Sequence, residues 1–169
     1  MQVVFQDPLA SLSPRRTIEQ IVSEGLALHR PKMSRAELRS TMVEALPEVG
    51  LDADILAYYP HAFSGGQPQR IAIARALVLK PALPLLDEPM SSLDVSVQQQ
   101  VLRLLAELPR KYGMSYLFIS YDLAGVRAMS HKALVRQEGK VVEHGPVQTI
   151  SAQPSHFYTQ RLLSASLYS

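Results

Sequence analysis

The chain has 169 residues, 47% of them hydrophobic, which is enough for one compact domain with a real core. Its 17 Lys plus Arg against 15 Asp plus Glu leave a formal charge of +2, too balanced to indicate a nucleic-acid or membrane-binding surface. Zero cysteines exclude a disulfide framework, a thiolate metal site and a cysteine nucleophile, and twelve prolines exceed the usual share of about 5%.

In chain order, Met1 to Pro8 reads as a short strand entering a turn, without the basic and apolar regions of a signal peptide. A strand with nothing before it needs neighbours, so the expectation is that Met1 stands in mid-domain. Ile18, Ile21, Val22 and Leu26 form one helical face, which Gly25 and Pro31 are expected to stop. Ser34 with Glu37 predicts a capped helix carrying Leu38, Met42, Val43 and Leu46, interrupted near its end by Pro47. Gly50 and the Asp52–Asp54 stretch mark a turn, and Ile71–Leu79 reads as helical after Phe63-Ser64-Gly65-Gly66-Gln67. This last segment is the longest apolar run, and Arg75 interrupts it, so no membrane span is expected.

The second half alternates strands and helices: Leu83–Leu86, Ser96–Leu108, Tyr116–Ile119, Asp122–Met129 and Ala133–Val135. That order predicts a parallel βαβαβ sheet. Gly139 then predicts a hairpin into Lys140–Glu143, Gly145-Pro146 ends the sheet, and one short amphipathic helix follows around Phe157–Leu163. The expected fold class is α/β, a helical subdomain followed by a parallel sheet.

Two elements carry chemistry. Ser64-Gly65-Gly66-Gln67 at a helix start offers a hydroxyl, backbone amides and a dipole that favours anions, a phosphate cradle, although a plain cap and turn would look the same. Leu85-Leu86-Asp87-Glu88-Pro89 ends a parallel strand, where α/β sheets present ligands. There Asp87 suits Mg²⁺ and Glu88 suits orienting or deprotonating a water; two solvated carboxylates are the alternative. His29, His61, His144 and His156 show no ligand spacing, and His131 reads as a surface residue at a helix end.

At these residues the chain resembles the ATP-binding cassette family, and within it the ATPase subunits of importers for oligopeptides, dipeptides and nickel. Phe5–Pro8 with Ser11–Arg15 looks like the Q-loop segment, Phe63–Arg70 like the signature motif and Leu85–Pro89 like Walker B. Ser91–Asp94 resembles the D-loop, Tyr116–Ser120 the strand before the switch histidine, and Gln153–Leu163 the C-terminal segment. The resemblance implies a P-loop NTPase fold lacking its N-terminal strands. It divides the chain into a Q-loop strand and turn over 1–8, a helical signature subdomain over 9–70, a Walker B, D-loop and switch core over 71–145, and a C-terminal segment over 146–169. It implies ATP and Mg²⁺ as cofactors, with Gln6 and Asp87 toward the metal and Gln6, Ser64, Gly65, Gly66, Gln67 and Asp94 toward the nucleotide. The implied partners are a second nucleotide-binding domain and membrane permease subunits, with the chain peripheral at the cytoplasmic face and no nucleic acid bound.

Two departures qualify this. No Gly-x4-Gly-Lys-Ser/Thr occurs, and the only Gly-Lys pair, Gly139-Lys140, has Leu134 five positions back and Val141 after it. Tyr121 stands at the switch position, where the family has a histidine that contacts the γ-phosphate; tyrosine can donate a hydrogen bond but cannot be cationic, and its ring needs more room. The resemblance therefore implies little hydrolysis by this chain alone, with the Ser64 loop and Asp94 completing a site whose P-loop comes from a partner. Pro47, Pro68, Pro84 and Pro109 are expected to strain the family pattern, and with the charge of Arg136 they favour loss of function. The alternative is a non-enzymatic remnant or interaction module. A DNA-repair cassette ATPase is disfavoured by the lack of a heptad run or basic stripe.

Overall fold

The computed structural model describes residues 1–91 and 93–166; Ser92, within the D-loop segment, lies outside the described residues. The chain divides into two units, Met1–Ile119 and Ser120–Ser169.

The first unit is built on a three-stranded parallel sheet in the order β1 (Gln2–Val4), β2 (Pro84–Asp87), β3 (Leu117–Ile119). Val4 pairs with Leu86, and Leu86 with Phe118, so these residues share one face; Val4 and Leu86 are fully buried there. β2 is central, and all three strands end on the same side of the sheet. Pro84 is the first residue of β2, the one strand position where a missing amide costs little, so the expected loss of a ladder bond inside the strand does not arise.

The helices of this unit pack mainly on one another. α1 (Pro8–Ser11) is capped by Asp7, whose Oδ1 accepts the Ala10 amide at 2.9 Å. α2 (Ile18–His29) starts in a reciprocal capping box between Thr17 and Gln20 and buries Ile18, Ile21, Val22 and Leu26. Each such side chain contributes roughly 1.5–3 kcal/mol. Gly25 does not stop this helix. It lies mid-helix, where a Cβ would come within 3.0 Å of the Leu79 side chain, so its smallness serves close packing. α3 (Arg35–Ala45) has the expected Ser34–Glu37 capping box, and Met42 and Leu46 are buried whereas Val43 is exposed. Three 3-10 turns follow, Pro47–Val49, Ala53–Ala57 and Pro60–Ala62, with Pro47 at the first position of its turn, where proline fits.

α4 (Gln67–Leu77) is buried on nearly every side. Pro68 is its second residue, where the amide would have no intrahelical partner, so it neither breaks a bond nor shortens the helix. α5 (Val95–Tyr112) is capped by Asp94 and ends at Gly113 in the left-handed region. Pro109 does not cut it. The proline sits in the last turn, and the buried stripe of Val101, Leu105 and Leu108 together with the Gly113 amide on the Pro109 carbonyl at 2.9 Å carries the helix past it.

In the second unit, α6 (Leu123–Met129) precedes β4 (Lys132–Gln137) and β5 (Lys140–Pro146), followed by α7 (Val147–Ala152) and α8 (Phe157–Ser166). β4 pairs antiparallel with β5 alone, so the expected third parallel strand over Ala133–Val135 belongs instead to a separate hairpin. Glu138 and Gly139 form its tip, both at positive φ, the turn that suits the twist of paired strands. Arg136 lies exposed on β4, donating to the Gly139 carbonyl at 3.4 Å.

Candidate functional site

Asp87 is the last residue of β2, and Glu88 leaves the strand at φ 47, a left-handed conformation costly for a residue with a Cβ. The turn is held by the Glu88 amide on the Ile119 carbonyl at 2.9 Å, while the Glu88 carbonyl accepts the amide and hydroxyl of Ser91 at 3.3 and 3.2 Å. Glu88 is buried and Asp87 half-buried. Gln6 follows β1 by two residues and is exposed at the same sheet end, since β1 and β2 run parallel with Val4 opposite Leu86. Gln6, Asp87 and Glu88 thus share one edge of the sheet.

The Ser64–Gln67 loop forms a second group. Gly65 sits at φ 59 with open space where a Cβ would point. Gly66 is the opposite case. It is buried, and a Cβ there would lie 2.2 Å from Val97 Cγ1 on the first turn of α5. Ser64, Gly65 and Gln67 remain exposed, and the Gln67 amide turns back to the Ser64 carbonyl at 3.4 Å. As the helix-capping residue, Gly66 has no side chain to satisfy the first amides of α4.

Asp94 is engaged locally. Its Oδ1 accepts the Ser96 hydroxyl at 2.7 Å and the Val97 amide at 3.0 Å, and these bonds hold the carboxyl below its ordinary range. Gln98 donates from Nε2 to the Met90 and Leu93 carbonyls, both at 3.1 Å, tying the loop after Glu88 to α5. Arg70 donates to the Gly50 carbonyl at 3.4 Å and to the Gln100 side chain, linking α4 to α5. Tyr121 belongs to the second unit, where it is 90% exposed. The next residue, Asp122, caps α6 through the Ala124 and Gly125 amides at 2.9 and 3.0 Å.

Sequence reasoning missed several contributors. Arg75 reaches Ser11 and Val97 meets Gly66, contacts between distant segments that no local pattern announces, whereas Gln98 ties back to nearby Met90 and Leu93. The strained backbone of Glu88 has no signal in residue type at all. In α4, Gln69 is buried with its side-chain nitrogen lacking a hydrogen-bond partner.

Residues 1–91 match the family model described as ABC transporter. The chain is 51% identical over 166 residues to the uncharacterized ABC transporter ATP-binding protein YejF of Escherichia coli strain K12, covering 98% of this chain and 31% of that protein. It is 50% identical over 165 residues to the oligopeptide transport ATP-binding protein OppF of the same organism, covering 98% of this chain and 49% of OppF. Among solved structures, cbiO1 from Clostridium perfringens, part of the ABC transporter complex cbiONQ, superposes with a TM-score of 0.78 at 30% identity. That match covers 90% of this chain and 59% of cbiO1. The chain therefore spans half or less of the length of these two curated relatives.

Proposed function

From the premise that this chain belongs to the ABC transporter family, we propose that it is an ATP-binding segment of an importer for peptides or similar small solutes. The observation that carries this reading is the exposed Ser64–Gly65 turn at the start of a buried helix, held against α5 by the Gly66–Val97 contact. In this reading the Ser64 hydroxyl and the Gly65 and Gly66 amides receive phosphate oxygens of a nucleotide held by the P-loop of a second nucleotide-binding domain. Pro68 offers no amide and the Gln67 amide is turned back to the Ser64 carbonyl, so the backbone and hydroxyl part of the cradle rests on these three groups, with the Gln67 side chain beside them.

The oxygen donors at the sheet edge suit a magnesium ion: the Asp87 carboxylate and the Gln6 amide oxygen are hard ligands. Among the described residues no group of three or more His, Cys, Asp or Glu could hold a metal, so such an ion would complete its shell from water and phosphate. Bound with ATP, it would supply charge neutralisation for phosphoryl transfer. Glu88 is the group to orient a water, and Tyr121 can donate a hydrogen bond but carries no positive charge. Hydrolysis by this chain alone is accordingly expected to be weak. The four-part division read from the sequence, residues 1–8, 9–70, 71–145 and 146–169, is retained as part of this proposal. So are docking on a permease through the Gln6 turn and helical lobe, and a place at the cytoplasmic face of the membrane. No helix among the described residues is long and apolar enough to cross a membrane.

The test is a MgATP titration of a P-loop-intact partner domain, Escherichia coli OppF, with and without this chain. Tighter binding in its presence, lost in Ser64→Arg, supports the reading. Equal affinity in both titrations favours the non-enzymatic interaction module instead.

A further inference from the structure

Arg75 lies on α4, two turns beyond the Ser64–Gln67 loop, and is half-buried. Its guanidinium reaches a different segment: Nη1 donates to the Ser11 carbonyl at 2.6 Å and Nη2 to the Ser11 hydroxyl at 3.3 Å. Ser11 closes α1, the single helical turn that begins directly after Gln6 and Asp7. Within that turn Asp7 caps the Ala10 amide, the Ser11 amide reaches the Asp7 carbonyl at 3.2 Å, and the Ser11 hydroxyl donates to the Pro8 carbonyl at 2.8 Å. The Asp7 carboxylate, the Asp7, Pro8 and Ser11 carbonyls and the Ser11 hydroxyl are thus bonded within the turn or to Arg75, and buried Leu12 anchors its far end.

A helix of four residues cannot hold itself in water, because the cost of nucleation exceeds what one turn of bonds returns. Something outside it must fix its place. Burial pulls the Arg75 guanidinium below its ordinary range, with the charge of Glu24 partly offsetting this. A cation kept there at that cost, and forked onto a carbonyl and a hydroxyl, acts as a clamp that a lysine could only half reproduce.

We propose that Arg75 is a positioning residue: it fixes the Gln6 turn to the signature helix, so that Gln6 and the Ser64–Gln67 loop are held by one rigid element. This rests on the nucleotide-binding reading for its purpose, though not for its geometry. In Arg75→Leu the amides of Ala10, Ser11 and Leu12 should exchange with deuterium about tenfold faster, whereas those of Ile71 to Leu77 keep their protection. Arg75→Lys should restore part of that protection, and Ser11→Ala, which removes one of the two acceptors, should produce a smaller acceleration confined to residues 9–12.

Unchanged exchange at residues 10–12 in both Arg75→Leu and Ser11→Ala would overturn the proposal. Equal acceleration along the whole of α4 would overturn it too, since that marks a residue needed only for folding. Should Arg75→Leu fail to fold, Arg75→Lys and Ser11→Ala carry the test, with intermediate, local acceleration as the supporting result. These measurements use no nucleotide. Failure of the functional reading would show separately, as a Ser64→Arg chain that assists the partner's MgATP binding as well as the parent does.

Discussion

The two units are stabilised by different means. In the first, Ile18, Val22, Leu26, Ile71, Leu86, Val101 and Leu105 are almost completely inaccessible, and α4 is enclosed by its neighbours. In the second, few residues are buried, chiefly Gly125, Val147, Ile150 and Thr159, and the elements are fastened by carboxylates on helix starts. Asp122 caps α6, and Glu143 on β5 accepts the Ser155 amide and hydroxyl, both at 2.8 Å, and the His156 amide at 3.1 Å, just ahead of α8. The lesson is that the first unit should answer to changes of side-chain volume and the second to changes of charge.

The largest effect expected from this contrast is in the core. Leu105→Ala should cost about 2–5 kcal/mol in denaturant unfolding, since the cavity lies in a tightly packed stripe of α5. A cost below about 1 kcal/mol would show that the first unit is less tightly packed than its burial implies. Next, Gly66→Ala should cost about 1–3 kcal/mol, because its methyl carbon would lie 2.2 Å from Val97 Cγ1. Val97→Ala in the same chain should recover much of that loss. Gly65→Ala meets no neighbour, so its cost is that of the left-handed backbone alone, about 1 kcal/mol.

In the second unit the titration of Glu143 should be visible. The nearby Thr159 hydroxyl and the Ser155 amide and hydroxyl bring its carboxyl down from 4.5 to about 2. A depressed carboxyl stabilises the fold above its unfolded value, so the contribution is complete above about pH 4.5 and fades as pH falls toward 2. Protection of the Ser155 and His156 amides, taken relative to their intrinsic exchange rates at each pH, should fall over that window, and Glu143→Gln should remove that pH dependence. The smallest effect is at Tyr116, whose buried hydroxyl has no hydrogen-bond partner and whose ionisation burial pushes up. Tyr116→Phe should be neutral or stabilising by up to about 1 kcal/mol, read as a shift in melting temperature.

The legible parts of the fold were those encoded locally. Ser34 and Glu37 announce a capping box because both partners lie within one turn, and the stripe of Ile18, Ile21, Val22 and Leu26 announces its helix through spacing. The prolines misled, because their cost depends on one residue of register. At the second position of α4 Pro68 fits, whereas two positions later it would break a bond, and composition cannot tell these apart. The strand over Ala133–Val135 misled for a different reason: alternating apolar residues define a strand but leave its partner open, and here the tight turn at Glu138-Gly139 gives it to β5. For the candidate site, the residue types at Gln6, Ser64–Gln67, Asp87 and Glu88 were readable. Of the contacts that position them, those of Arg75 on Ser11 and of Val97 on Gly66 come from segments distant in sequence, and only the folded chain brings them together.

Because the chain has no cysteine, a single one introduced at Ser64 gives a clean probe of the central claim that the Ser64–Gln67 loop faces nucleotide on a partner domain. Ser64→Cys would be mixed with a cysteine-free nucleotide-binding domain carrying one cysteine beside its P-loop, and a short bismaleimide added with and without MgATP. A crosslinked yield that rises with MgATP is the predicted result; a yield that is the same with and without nucleotide would contradict it.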